Sequence, residues 1–212
     1  MSITRINNST ALTGTIPAVN FANSTLNNVT SLPNAPLGDM ILVSSATASS
    51  SASIEFSLGN YKEYKFFFVN MHPATNDTAF QFQCSIDSGS NYNVTMTTTR
   101  FKAGQTEDGT YTTLGYEGGS DQAQGTSYQT LTQNAGNVSD ESVSGMLHLF
   151  NPSSTTYVKH FMANFNTYQH GNATYNDYTA GYFNDTNDLT NISFKFASGN
   201  IDAGKILMFG IN

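Results

Sequence analysis

A period of two dominates the chain from Gly38 to its C-terminus. Apolar and polar residues alternate in GDMILVSS, SASIEFS, EYKFFFVNM and AFQFQCSID. The alternation returns in NYNVTMTTTRF, GTSYQTLTQ, SVSGMLHLF, TYVKHFMANF, DYTAGYF, LTNISFKF and KILMFGI. Successive side chains of a strand point to opposite faces, so this spacing turns one apolar row to a core and one polar row outward. Asn, Gly, Pro and Asp bound each run and place turns between them. β-Branched and aromatic residues prevail, and no window carries the three-and-four apolar spacing of a helix. The expected fold is therefore all-β: about ten strands in an antiparallel, two-sheet, jelly-roll-like sandwich, spanning residues 39–212. EYKFFFVNM is apolar enough to be covered on both faces. The Gly-, Asp-, Glu- and Tyr-containing stretch between Phe101 and Gln129 is expected to be a long excursion at one end of the sandwich.

Residues 1–38 follow another rule. From Ile6 to Gly38 there is no charged residue, and Pro17, Pro33 and Pro36 break the segment into pieces too short for a core of their own. Ser24 can cap one short helical turn that sets Leu26 beside Val29, and the remainder is expected to be extended. Ile16, Val19, Phe21, Leu26, Val29 and Leu32 need cover. Extra strands on the sandwich would supply it. The favoured expectation is an extended N-terminal docking arm, with these six side chains seated on another subunit and the Asn/Thr background hydrogen-bonding along a groove.

Charge narrows the partners. Only 11% of residues are charged, less than half the usual share, and the net charge is −7. Nucleic acid is an unsuitable partner, because the eight Lys and Arg are scattered rather than clustered. No apolar run approaches the ~20 residues of a membrane-spanning helix, and the N-terminus lacks the basic-then-apolar pattern of a secretory signal.

Few residues suggest chemistry. Cys84, the single cysteine, shares a strand face with Phe80 and Phe82 and reads as a buried small hydrophobe. A hairpin turning at NPSS would set His148 opposite His160, close enough to share an ion; two ligands do not make a site, and no metal is expected. His72, in NMHP, reads as a strand-end residue before a proline-forced turn. Glu107, Asp108, Glu117 and Asp121 could pair for acid–base work on a sugar only if rigid elements held them, and a Gly-rich loop does not. No phosphate loop, dinucleotide fingerprint or nucleophile elbow occurs, so neither an enzyme nor a cofactor is expected. Tyr111, Tyr116, Glu117, Asp121 and Tyr128 remain as a candidate outward surface, since tyrosines and amides on loops compose many sugar- and protein-binding surfaces.

From about Ser44 onward the chain resembles virion structural proteins of marine tailed bacteriophages. The phrases that carry this are SSSASIEFS, YKEYKFFFVNMHPAT, SIDSGSNYN, GSDQAQGTSYQ, LHLFNPSSTTYVKHFMA, YTAGYFN and FASGNIDAGKILMFGIN. The resemblance implies a location rather than a reaction: a virion protein assembled in the host bacterial cytoplasm and attached to capsid or tail proteins through its arm. An arm followed directly by one sandwich fits a capsid decoration, head-fibre or short tail appendage protein, with self-association as a homotrimer expected. A tail-fibre-type adhesin for a host surface glycan is the alternative, and a polysaccharide-degrading enzyme a more distant one.

Overall fold

The structure, a computed structural model, describes residues 40–212. Twelve antiparallel strands form it: β1 (Met40–Thr47), β2 (Ile54–Ser57), β3 (Glu63–Pro73), β4 (Thr78–Ser85), β5 (Met96–Thr106), β6 (Thr112–Tyr116), β7 (Gln129–Ala135), β8 (Val143–Phe150), β9 (Lys159–Gln169), β10 (Ala173–Phe183), β11 (Asn191–Phe196) and β12 (Ile201–Ile211). They make one hydrogen-bonded sheet folded over into two layers. One layer runs β1-β12-β3-β8-β9-β10-β5-β6 and the other β7-β4-β11-β2, joined where Ala135 of β7 pairs with Gln169 of β9. This is the expected antiparallel sandwich. The docking arm proposed for residues 1–38, with Ile16, Val19, Phe21, Leu26, Val29 and Leu32, lies outside the described residues.

The inward rows are those the alternation marks. Phe66 and Phe68 of β3 meet Phe194 of β11 across the layers, Phe68 also meets Phe80 of β4, and Phe82 of β4 meets Phe161 of β9 edge-on at 4.9 Å. Phe194 sits among five aromatic rings at centroid distances from 4.9 to 6.4 Å. Truncating such a side chain costs about 3–5 kcal/mol, because the cavity cannot collapse. Cys84 is fully buried opposite Ile192, and burial pushes its thiol well above the ordinary range.

Three details depart from expectation. In β3 the inward row Tyr64, Phe66 and Phe68 is buried, but the opposite row is only partly covered, and Val69 is 44% exposed. A bulge at Val69 and Asn70, where Asn70 takes φ +49°, resets the phase so that Met71 returns to the core. It lies against a matching irregularity in β12, where Gly204 takes φ +122° and a Cβ would meet the Asn70 carbonyl at 2.7 Å.

The segment between Phe101 and Gln129 is not one loop. β5 runs on to Thr106 and turns back as β6, with Phe101 opposite Tyr116. The chain then follows the edge of β5, Glu117 N donating to Arg100 O and Thr98 N to Gln122 O, before crossing to the other layer. That crossing closes one side of the sandwich. NYNVT, in turn, is not strand: Gln83 donates from Nε2 to the carbonyls of Val94, Thr126 and Ser127, holding both crossing segments over β4.

Candidate functional site

Two places combine unusual residues with definite geometry. The first is internal. Where the apolar core runs out, Arg100 of β5 and Asp177 of β10 are both fully buried, with Nη2 donating to Oδ1 at 2.5 Å. Thr132 of β7 donates to the other carboxylate oxygen at 2.6 Å and also bonds Thr167 of β9. Burial pushes the Asp177 carboxyl above its ordinary range, against the opposing pull of Arg100 and Thr132. Glu117 closes the cluster, 3.8 Å from Arg100 Nη1 and 3.3 Å from Lys102 Nζ. The group spans both layers without an open cleft, so its role is to tie the sandwich together.

The second place is the outer face of the larger layer. Register sets Met146 (β8), Asn164 (β9), Tyr178 (β10), Phe101 (β5) and Tyr116 (β6) in one transverse row. Phe101 stacks on Tyr178 with centroids 5.0 Å apart and planes 12° from parallel. Met146 is 49% exposed, Met162 60% and Leu114 78%. None of the outward residues of β5, β6, β8, β9 or β10 is Lys, Arg, Asp or Glu. The amides of the face are tied to one another: Asn164 Nδ2 donates to Asn176 Oδ1 at 2.7 Å, Asn166 Nδ2 to Thr174 Oγ1 at 2.8 Å, and Asn176 Nδ2 to the Tyr178 hydroxyl at 3.3 Å. Beside the rings of Phe150, His160 and Tyr182, the short side chains Thr99 and Ala180 leave an open depression of about 490 Å³.

No family model, curated protein or solved structure matches this chain. Its own geometry has to carry the functional argument.

The structure separates the five surface residues picked from the sequence. Tyr116 lies on the outer face, 59% exposed, and donates its hydroxyl to Asp121, a hydrogen bond that raises the tyrosine's pKa. Tyr111 is exposed at the β5–β6 turn. Glu117 turns inward to Arg100 and Lys102. Tyr128 is on the opposite layer, its hydroxyl donating to Ser193 Oγ at 3.2 Å and its ring beneath Lys195 Nζ. Asp108 accepts from the Thr110 backbone N–H and from the Thr106 and Thr110 hydroxyls, which lower its pKa. Asp108, Glu117 and Asp121 therefore have separate partners.

The histidine pair is a correction. His148 pairs with Met162, and His160 with Tyr182, so the two histidines are offset by one step along the face instead of lying opposite each other. The loop from Asn151 to Val158 sets that register. His148 Nε2 is 2.6 Å from Glu63 Oε2 and its ring packs on Phe150. Among the described residues there is no group of three or more His, Cys, Asp or Glu that could hold a metal ion. His72 sits at the end of β3, its Nε2 3.2 Å from the Val138 carbonyl.

The outer row was invisible as a unit in the sequence. Its signal, the outward half of each alternation, is present, but nothing local says that Phe101 and Tyr178 are neighbours.

Proposed function

We propose that this chain is a structural protein on the exterior of a tailed-phage particle, a capsid decoration, head-fibre or short tail appendage, and not an enzyme. The observation that carries the reading is the part of the outer face built by β8, β9, β10, β5 and β6, whose outward strand residues include no Lys, Arg, Asp or Glu. Its polar groups already satisfy one another and its apolar groups stand exposed, which suits packing against protein in an assembly. The sequence resemblance adds the virion as the setting, and residues 1–38, without charge from Ile6 to Gly38, supply the attachment.

Localisation tests it. Antibody raised against the protein should label heads or tails of intact, purified particles, and its absence from particles that package normally would overturn the reading. In the full-length chain, Phe21→Ser combined with Leu26→Ser should reduce incorporation. Attachment should vary little with salt, since the arm offers screening almost no charge to act on. Normal incorporation of that variant would remove the arm from the proposal.

A second reading has its own support. The depression beside Thr99 and Ala180 is walled by aromatic rings and floored by a hydroxyl, which suits a neutral sugar. Glycan-array binding by the wild type that disappears in Ala180→Phe would favour a host-glycan adhesin.

A further inference from the structure

We infer that the interior of the sandwich holds an ordered water molecule between Arg100 of β5 and Thr179 of β10. Such a site belongs to the polar end of the core and is independent of the virion reading.

Arg100 has hydrogen-bonding capacity to spare. A guanidinium carries its N–H donors in a fixed fork and has no acceptor of its own. Arg100 is fully buried, and its close contact uses one nitrogen, Nη2, on Asp177. Nη1 faces Glu117 Oε2 across 3.8 Å. Nε is enclosed and meets no acceptor among the described residues. Thr179 lies directly opposite Arg100 in the β5–β10 register, is 2% exposed, and has its hydroxyl enclosed in the same way without a partner. A donor and a hydroxyl are thus held as cross-strand neighbours on one inward face without bonding each other. Asp177 cannot turn to serve Nε, because Thr132 holds its second oxygen at 2.6 Å. Buried polar groups in this state are rare in folded proteins, and ordered water is their usual partner.

Charge chooses the ligand. Nε–H points to the Nη2 side of the guanidinium, where the Asp177 carboxylate already sits, so an anion there would crowd a second negative charge against Asp177. Arg100 and Lys102 are matched by Asp177 and Glu117, and an added anion would be left unpaired in a low-dielectric site. A cation would oppose Arg100. The ligand is therefore small, neutral and able both to accept from Nε–H and to bond a hydroxyl. Water meets these conditions. Lys102 and Glu117, with side chains 15% and 24% exposed, bring the cluster to the surface at one end and give water a way in.

Crystals of the full-length protein, at a resolution that shows ordered water, test this. Density for one water should lie within hydrogen-bond reach, about 3 Å, of both Arg100 Nε and Thr179 Oγ1. In solution the Arg100 Nε–H proton should show a nuclear Overhauser contact to water. Thr179→Ser keeps the hydroxyl and should keep both signals, whereas Thr179→Val, of nearly the same shape, should lose them. Protection of Cys84 from thiol reagents verifies the fold of each variant, and if Thr179→Val folds poorly, the wild type and Thr179→Ser still decide. An Nε–H that donates to a protein group, the lack of water density beside it, or a water indifferent to Thr179→Val overturns the inference. So does an anomalous peak at the site in crystals grown in bromide, which would assign an anion instead.

Discussion

Arg100 and Asp177 meet inside the sandwich one step off register: Arg100 pairs with Thr179 and Lys102 with Asp177, yet the guanidinium reaches diagonally to the carboxylate at 2.5 Å. Neither group is exposed to solvent. Removing one partner strands the other charge in a low-dielectric site, so Asp177→Ala should destabilise by about 3–5 kcal/mol. The paired replacement Arg100→Met with Asp177→Leu should cost less than either single change. Chemical denaturation of Arg100→Met, Asp177→Leu and the double variant measures this, and additive losses would mean that the pair is not coupled.

Cys84 should be silent in the native protein. It is fully buried opposite Ile192, and its thiol is held protonated by desolvation. A thiol reagent should label it only under denaturing conditions, and Cys84→Ser should destabilise by about 1–3 kcal/mol by burying a hydroxyl among apolar neighbours. Rapid labelling of folded protein would contradict the burial.

Asp87 should set part of the acid limit of stability. Ser85 Oγ donates to its carboxylate at 2.7 Å and Asn91 donates from both its side chain and its backbone N–H, lowering the pKa from 3.8 to about 2. A depressed folded pKa means that the unfolded chain binds the proton first. The stabilisation is therefore present above pH 3.8 and lost as pH falls towards 2. Asp87→Asn should flatten that part of the stability profile; an unchanged slope between pH 4 and 2 in thermal melts would count against the turn's role.

By itself the sequence determined the fold class and the two faces of most strands. Side-chain alternation is a local property, so the inward rows of Phe80, Phe82 and Cys84 and of Phe161 and Phe165 could be read directly. Tertiary structure alone decided which rows become neighbours. Backbone hydrogen bonds are nearly blind to sequence, and β5 and β10 pair across the stretch 107–172 that separates them. That pairing put Tyr178 on Phe101 and brought Asp177 to Arg100, while the chain's run along the other edge of β5 turned Glu117 inward to Arg100. It also turned the stretch after Phe101 from a loop into a hairpin, because β5 could extend only once β10 lay alongside it. The eight-residue loop before β9 fixed the register that moved His160 past His148. The charge-free face has the same origin: each strand contributes an uncharged outward row, and only the strand order assembles those rows into a surface.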